Sequence, residues 1–279
     1  MINISEEKKY YKKMKNADGR ILNSNTRYTQ NNRVNLHWWS TEEKDENVGD
    51  YLSTIVCEYL LTQKGLSFDS EIARTKHLYA VGSIIQGGAQ NAVIWGSGLK
   101  HGYEDIGFLF RKTRKLDVRL VRGPRTREVL IKNGYRCPEV YGDPAIIMPL
   151  IYKPEIENKR DILVILHHES QIKYDGSITP LTNDYKKFID RICSSSLVIS
   201  SSLHGIILAE SYGIPAILLR DKCTDYMLKY EDYYYSTGRY EFPIAKSIEE
   251  AKNMTPVQCP DLSGLVKNII GTFPYDLWE

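Results

Sequence analysis

Six short runs of this chain put small or titratable residues directly after aliphatic ones: Asn47-Val-Gly-Asp50, Val81-Gly-Ser-Ile84, Trp95-Gly-Ser-Gly-Leu99, Val121-Arg-Gly-Pro-Arg-Thr-Arg127, Tyr141-Gly-Asp-Pro144 and Ser200-Ser-Ser-Leu-His-Gly205. The last is the most informative. Leu197–Ile199 reads as a buried strand, Ser200, Ser201 and Ser202 are good helix N-caps, and Gly213 and Pro215 end the helix that follows. His204 then falls in the first helical turn, at the carboxyl end of a parallel strand. Open α/β sheets bind ligands at that edge, and free backbone N–H groups there favour anions. An imidazole beside an anion is placed to move a proton. Arg122 also stands at a strand end, where a guanidinium can grip a carboxylate or phosphate with two hydrogen bonds. Asp50 and Asp143 each follow a glycine turn. They suit the orientation of hydroxyl groups, or simply the capping of a helix and the fixing of a domain exit.

Other chemistries find less support. His167-His168-Glu169 ends a strand, but adjacent side chains of an extended chain point to opposite faces, so a shared metal ion is not expected. The chain contains no P-loop, no GxGxxG, no HExxH and no GxSxG. A net charge of +2 makes no case for nucleic acid. The five cysteines form no CxxC pair, and no apolar run approaches the roughly 20 residues that span a bilayer. A cytoplasmic, reduced protein is the expectation. Residues 1–32 read as a basic polar leader, with Lys8, Lys9, Lys12, Lys13, Lys15 and Arg20 against Glu6, Glu7 and Asp18. A frayed end is the first reading, and peripheral contact with the inner face of a membrane the second. Twenty tyrosines against six phenylalanines suit sugar binding, or ordinary amphipathic packing.

The elements that must position these residues follow from periodicity. Strands are predicted at Val34–Trp39, His77–Val81, Ala92–Trp95, Val118–Val121, within Val140–Pro149, and at Asp161–Leu166, Leu197–Ile199 and Ala216–Leu219. Helices are predicted over 50–63, 124–132, 183–193, 205–212 and 262–270, and Tyr226–Tyr240 reads as irregular. Strand–helix alternation argues for parallel sheets. Two Rossmann-like domains facing a cleft are expected, at 33–153 and 154–279, with the last helix able to pack back on the first.

In this order and spacing, the six runs resemble the polysaccharide pyruvyl transferase family over about residues 34–220. The resemblance implies a GT-B-like α/β fold with the active site between its two domains. It implies transfer of a pyruvyl group from phosphoenolpyruvate to a sugar of a cell-surface polysaccharide or its lipid-linked precursor. The product is a cyclic ketal, and no metal or cofactor is expected. On this reading His204 and Asp50 are catalytic. Arg122, Ser97, Ser202, Gly205 and a lysine downstream of His204 serve the donor; Lys222 fits that lysine by spacing, with Lys229 the alternative. Asn47 and Asp143 serve the acceptor. Many members carry arginine two residues before the histidine. Here Ser202 stands there, so Arg220, Lys222 or Arg125 would have to supply the missing charge. Two rivals remain open. A GT-B sugar-nucleotide glycosyltransferase would need a carboxylate such as Glu210 for the ribose. A non-catalytic carbohydrate-binding protein would use Tyr226–Tyr240.

Overall fold

The computed structural model describes residues 26–27, 34–39, 46–68, 76–87, 91–100, 114–156, 160–224 and 226–279. The basic leader lies outside them, apart from Thr26–Arg27, which forms a two-residue strand β1.

Two sheets organise the chain. In the first, β1 pairs antiparallel with β2 (Val34–His37), and β2, β3 (Lys76–Tyr79), β4 (Ala92–Trp95) and β5 (Leu116–Leu120) run parallel in chain order. In the second, β6 (Arg160–Ile165), β7 (Ser195–Ser200), β8 (Ala216–Leu219) and β9 (Ile244–Ala245) are likewise parallel and in chain order. All four residues of β4 and of β8 are buried, which is why these runs carry no polar alternation. Among the described strands the order never reverses within a sheet, so neither sheet offers an internal crevice for a ligand.

The helices explain what covers the sheets. Helix α1 (Val48–Thr62) starts at Asn47, whose side chain accepts from the Gly49 amide at 3.1 Å. Asn47 is therefore the cap, and Asp50 is freed to point inward from the first turn. Helix α2 (Pro124–Lys132) begins on Pro124, where the missing N–H costs nothing. The strand expected within Val140–Pro149 is reduced to one bridge, between Val121 and Tyr141. Asp143 and Pro144 then open a 3₁₀ turn (Pro144–Ile147) that runs into the short helix α3 (Met148–Ile151). Helix α4 (Tyr185–Cys193) leads into β7.

Helix α5 (Leu203–Ser211) is buried from Leu203 to Glu210, with no solvent face. It packs between the second sheet and the Pro144–Ile151 segment, so it joins the two halves. The tyrosine-rich segment is helical rather than irregular: α6 (Leu228–Ser236) buries Tyr230, Tyr233 and Tyr234 completely. Helix α7 (Ile248–Asn253) covers β8 and β9. Helix α8 (Ser263–Gly271) and the residues after it return to the first sheet. There the Trp95 indole donates to the Ile269 carbonyl at 3.1 Å and meets Phe273 edge-on, while Lys76 donates to the Asp276 carbonyl at 3.0 Å. Arg119 pairs with the Asp276 carboxylate.

Candidate active site

A pocket of about 240 Å³ opens where the carboxyl ends of both sheets meet. The first half lines it with Trp39, Asn47, Asp50, Ser83, Ile84 and Lys100; the second supplies His167, His168, Glu169, Ser202, Leu203, His204 and Lys229. Backbone pairing holds the seam closed beside it, with the Val48 amide donating to the Pro180 carbonyl at 2.7 Å.

Three glycines make room for three functional side chains. A Cβ on Gly49 would stand 1.8 Å from His204 Nδ1; one on Gly82 would stand 2.1 Å from Asp50 Oδ1; one on Gly98 would stand 2.4 Å from Arg122 Cζ. These contacts tie the Asn47-Val-Gly-Asp50, Val81-Gly-Ser-Ile84 and Trp95-Gly-Ser-Gly-Leu99 runs to one centre. Each small residue is the vacancy that another motif's side chain fills.

His204 occupies the first turn of α5 and is buried. Its Nε2 lies 3.6 Å from Asp143 Oδ2, beyond hydrogen-bond reach, and both atoms are buried without a hydrogen-bond partner. Asp143 is fully buried, and its other oxygen accepts from the Ala145 amide at 3.0 Å, which fixes the carboxylate. The Asp143 carboxylate faces Nε2, and Nδ1 packs beside Gly49. Asp143, expected to serve the acceptor, lies behind the histidine and does not line the pocket. Asp50 does line it. Burial raises the Asp50 carboxyl from 3.8 to about 6, helped by Asp143 and opposed by His204, Lys229 and Arg122.

Arg122 is placed differently from the expectation of a donor grip. It is fully buried and does not line the pocket. Its Nε meets Asp232 at 3.2 Å, and its other two nitrogens donate to Ser83 Oγ at 2.7 Å and the Leu99 carbonyl at 2.8 Å. Asp232 also accepts from the Thr126 amide and hydroxyl. Burial pushes the Asp232 carboxyl up, while Arg122 and Thr126 pull it back. Arg122 therefore supports the pocket from beneath: it positions Ser83 and anchors α6, the helix that carries Lys229.

Lys229 is buried on the pocket wall, its ammonium 4.9 Å from the Tyr230 ring centre. Lys222 is exposed on a 3₁₀ turn after β8 and does not line the pocket. Ser202 caps α5 without a side-chain hydrogen bond and lines the pocket. Ser97 lies below it, donating to the Ala80 carbonyl at 2.6 Å. Gly205 makes room for Ser200, whose hydroxyl would be 2.5 Å from a Cβ there.

The far wall corrects another expectation. His167 and His168 do not point to opposite faces: the chain turns after β6, and the two rings stack at 4.2 Å and 28°. Trp39 stacks in turn on His168, at 5.1 Å and 29°. Burial, with Lys229 and Lys100 nearby, holds His167 down at about 3 and lowers His168. Both are neutral at physiological pH. Ligand atoms of His167, His168 and Glu169 lie within 4.8 Å of one another, a spacing that meets the minimum for a metal site. However, His167 Nδ1 already accepts from the Glu169 amide at 3.2 Å, and Glu169 faces Lys100 at 3.9 Å. Lys100 and Trp39 were not legible as site residues, since each stands alone in sequence.

Glu210 is closed in by two hydrogen bonds from Arg239, at 2.7 and 2.6 Å, and one from Tyr233 at 2.6 Å. Of the tyrosine segment, Tyr226 and Tyr240 are exposed, whereas Tyr230, Tyr233 and Tyr234 are core.

Two parallel sheets meeting at their carboxyl ends around a pocket that holds Asp50, His204 and Lys229 define an α/β protein. The chain belongs to the polysaccharide pyruvyl transferase family, whose sequence profile matches residues 8–222. Membership implies a transferase with a saccharide acceptor. An uncharacterized protein of Acanthamoeba polyphaga mimivirus is 28% identical over 225 residues, covering 74% of this chain and 75% of its own. A functionally uncharacterized protein from Klebsiella pneumoniae subsp. pneumoniae NTUH-K2044 shares the fold, with a TM-score of 0.53 at 17% identity, over 88% of this chain and all of that one. Among the described residues no helix is long and apolar enough to cross a membrane.

Proposed function

We propose that this protein transfers a pyruvyl group from phosphoenolpyruvate to two hydroxyls of one sugar residue, in a cell-surface polysaccharide or its lipid-linked precursor, on a GT-B-like frame. The single observation that carries this reading is the Asp50–His204–Asp143 cluster at the start of α5, beside Lys229. Phosphoenolpyruvate brings a phosphate and a carboxylate. Lys229, with the N-terminal amides of α5, supplies positive charge for them.

The steps balance. Asp50, protonated, gives its proton to C3 of the enol as a sugar oxygen bonds to C2. His204 takes that hydroxyl's proton, with Asp143 steadying the imidazolium. The C2–O bond to phosphate then breaks with its electron pair, and His204 returns the proton to the departing phosphate. The second hydroxyl bonds to C2 and gives its proton to the Asp50 carboxylate. Both groups end as they began. A carboxyl near 6 suits this double duty, and a bound anion raises it further.

The reading is tested by incubating purified protein with phosphoenolpyruvate and a panel of hexopyranosides, following phosphate release and the saccharide's mass. Ketal formation that falls about 10²–10⁴-fold in His204→Ala supports it. Tight binding of uridine diphosphate without phosphoenolpyruvate turnover would sink it in favour of glycosyl transfer.

A further inference from the structure

The His167-His168-Glu169 run has no part in the chemistry above, yet it forms one wall of the same pocket. We infer that Trp39, His168 and Glu169 form the acceptor subsite, holding one pyranose ring by its face and by its hydroxyl edge. The inference rests on the proposed function and extends it to a place on the protein.

Three observations carry it. The rings of Trp39, His168 and His167 are stacked in series, so His168 is held between two rings with its nitrogens at the edge, and Trp39, at the end of the stack, keeps one face clear of it. Trp39 follows β2 and the histidines follow β6, so the wall bridges both sheets at the pocket mouth. Glu169 sits at its end, about half exposed, with its carboxylate 3.9 Å from Lys100.

The two substrates differ in what such a wall offers them. Phosphoenolpyruvate is small and carries several negative charges. It gains nothing from an aromatic face and is repelled by a carboxylate. A pyranose presents C–H groups on one face and hydroxyls at its edge, which match an aromatic wall ending in a carboxylate acceptor. Neutral imidazoles add donors and acceptors without repelling a neutral sugar. A metal ion fits the same residues poorly. Face-to-face imidazoles aim their lone pairs side by side, one of the ring nitrogens is taken by the Glu169 amide, and Lys100 competes for Glu169.

The test uses the full chain, a panel of methyl hexopyranosides and phosphoenolpyruvate as separate probes. Binding is read by saturation-transfer NMR and calorimetry, and turnover by phosphate release. Trp39→Ala is expected to weaken binding of the best pyranoside about three- to tenfold, with phosphoenolpyruvate affinity unchanged. Trp39→Phe should restore most of it. Glu169→Gln should raise the acceptor KM and leave the donor KM alone. Trp39→Phe also guards against a folding defect, because it keeps the packed ring. Equal sugar binding in wild type and Trp39→Ala overturns the subsite, as does a loss confined to phosphoenolpyruvate. So does stoichiometric Zn²⁺ binding abolished by His168→Ala but untouched by Trp39→Ala. If no pyranoside binds the wild type at about 10 mM, the subsite is likewise overturned. The two readings fail separately. Sugar binding that depends on Trp39 without phosphoenolpyruvate turnover would keep the subsite and discard the pyruvyl donor. Turnover with an acceptor KM indifferent to Trp39 would do the reverse.

Discussion

Asp50 carries the sharpest consequence of burial at a single residue. Its carboxyl moves up from 3.8 to about 6, chiefly by desolvation. A folded pKa above the unfolded one means the native state holds more protons between those values, so stability falls as pH rises through them. Two pKa units correspond to about 3 kcal/mol. Asp50→Asn removes that cost. It is expected to melt higher than wild type at pH 8 and equal to it near pH 4, as thermal scans at the two values would show. The same variant should be inactive, because it lacks the proton for C3. Asp143 acts one step back. Asp143→Asn keeps the cap on Ala145 through its amide oxygen but presents a neutral group to Nε2. A drop in kcat of about 10²-fold with an unchanged donor KM is expected from steady-state kinetics. A change confined to KM would mean that Asp143 binds substrate.

Elements place these residues through the gaps they leave. Gly49 belongs to the first turn of α1, yet its missing Cβ is occupied by the His204 ring from α5. Gly49→Ala keeps helical backbone and asks only a side chain to yield. Overpacking the buried ring is expected to cost about 1–3 kcal/mol, read as a lower melting temperature, while turnover falls about 10²-fold because the imidazole is displaced. Circular dichroism and kinetics on one preparation separate the two effects. The sequence showed these elements well where one rule acted alone. Continuous aliphatic runs marked β4 and β8, and Pro124 marked the start of α2. It failed where a residue type misled. Tyr230, Tyr233 and Tyr234 recur at helical spacing, but tyrosine reads as surface, so α6 went unrecognised until its rings were seen buried. The Val140–Pro149 run is apolar enough for a strand, yet Asp143 and Pro144 stop it after one bridge.

At the scale of the molecule, partners far apart in sequence decide what a motif does. Arg122 was legible as a strand-end guanidinium. Its partner Asp232 lies 110 residues on, and no local pattern announces the pairing that takes Arg122 out of the pocket. That buried pair clamps α6 of the second half against the first. Removing one partner leaves an uncompensated charge. Asp232→Ala is expected to destabilise the protein by about 3–5 kcal/mol, read as a shift in urea midpoint without a change in slope. Lys100 and Trp39 illustrate the same limit. Each is an ordinary residue in its own segment, and only the meeting of two sheets gives it a neighbour of the right chemistry.

The return of α8 to the first sheet has a consequence in time. Trp95 and Lys76 bond to residues 269–276, and Arg119 adds Asp276 there to its local partner Asp117. While the chain is still being synthesised, the first sheet must therefore wait with that face uncovered until the whole second half has emerged. At the usual 5–20 residues per second the delay is on the order of ten seconds. During it the nascent first half is a natural client for chaperones, and a permuted gene that begins with the α8 segment should release it from that dependence.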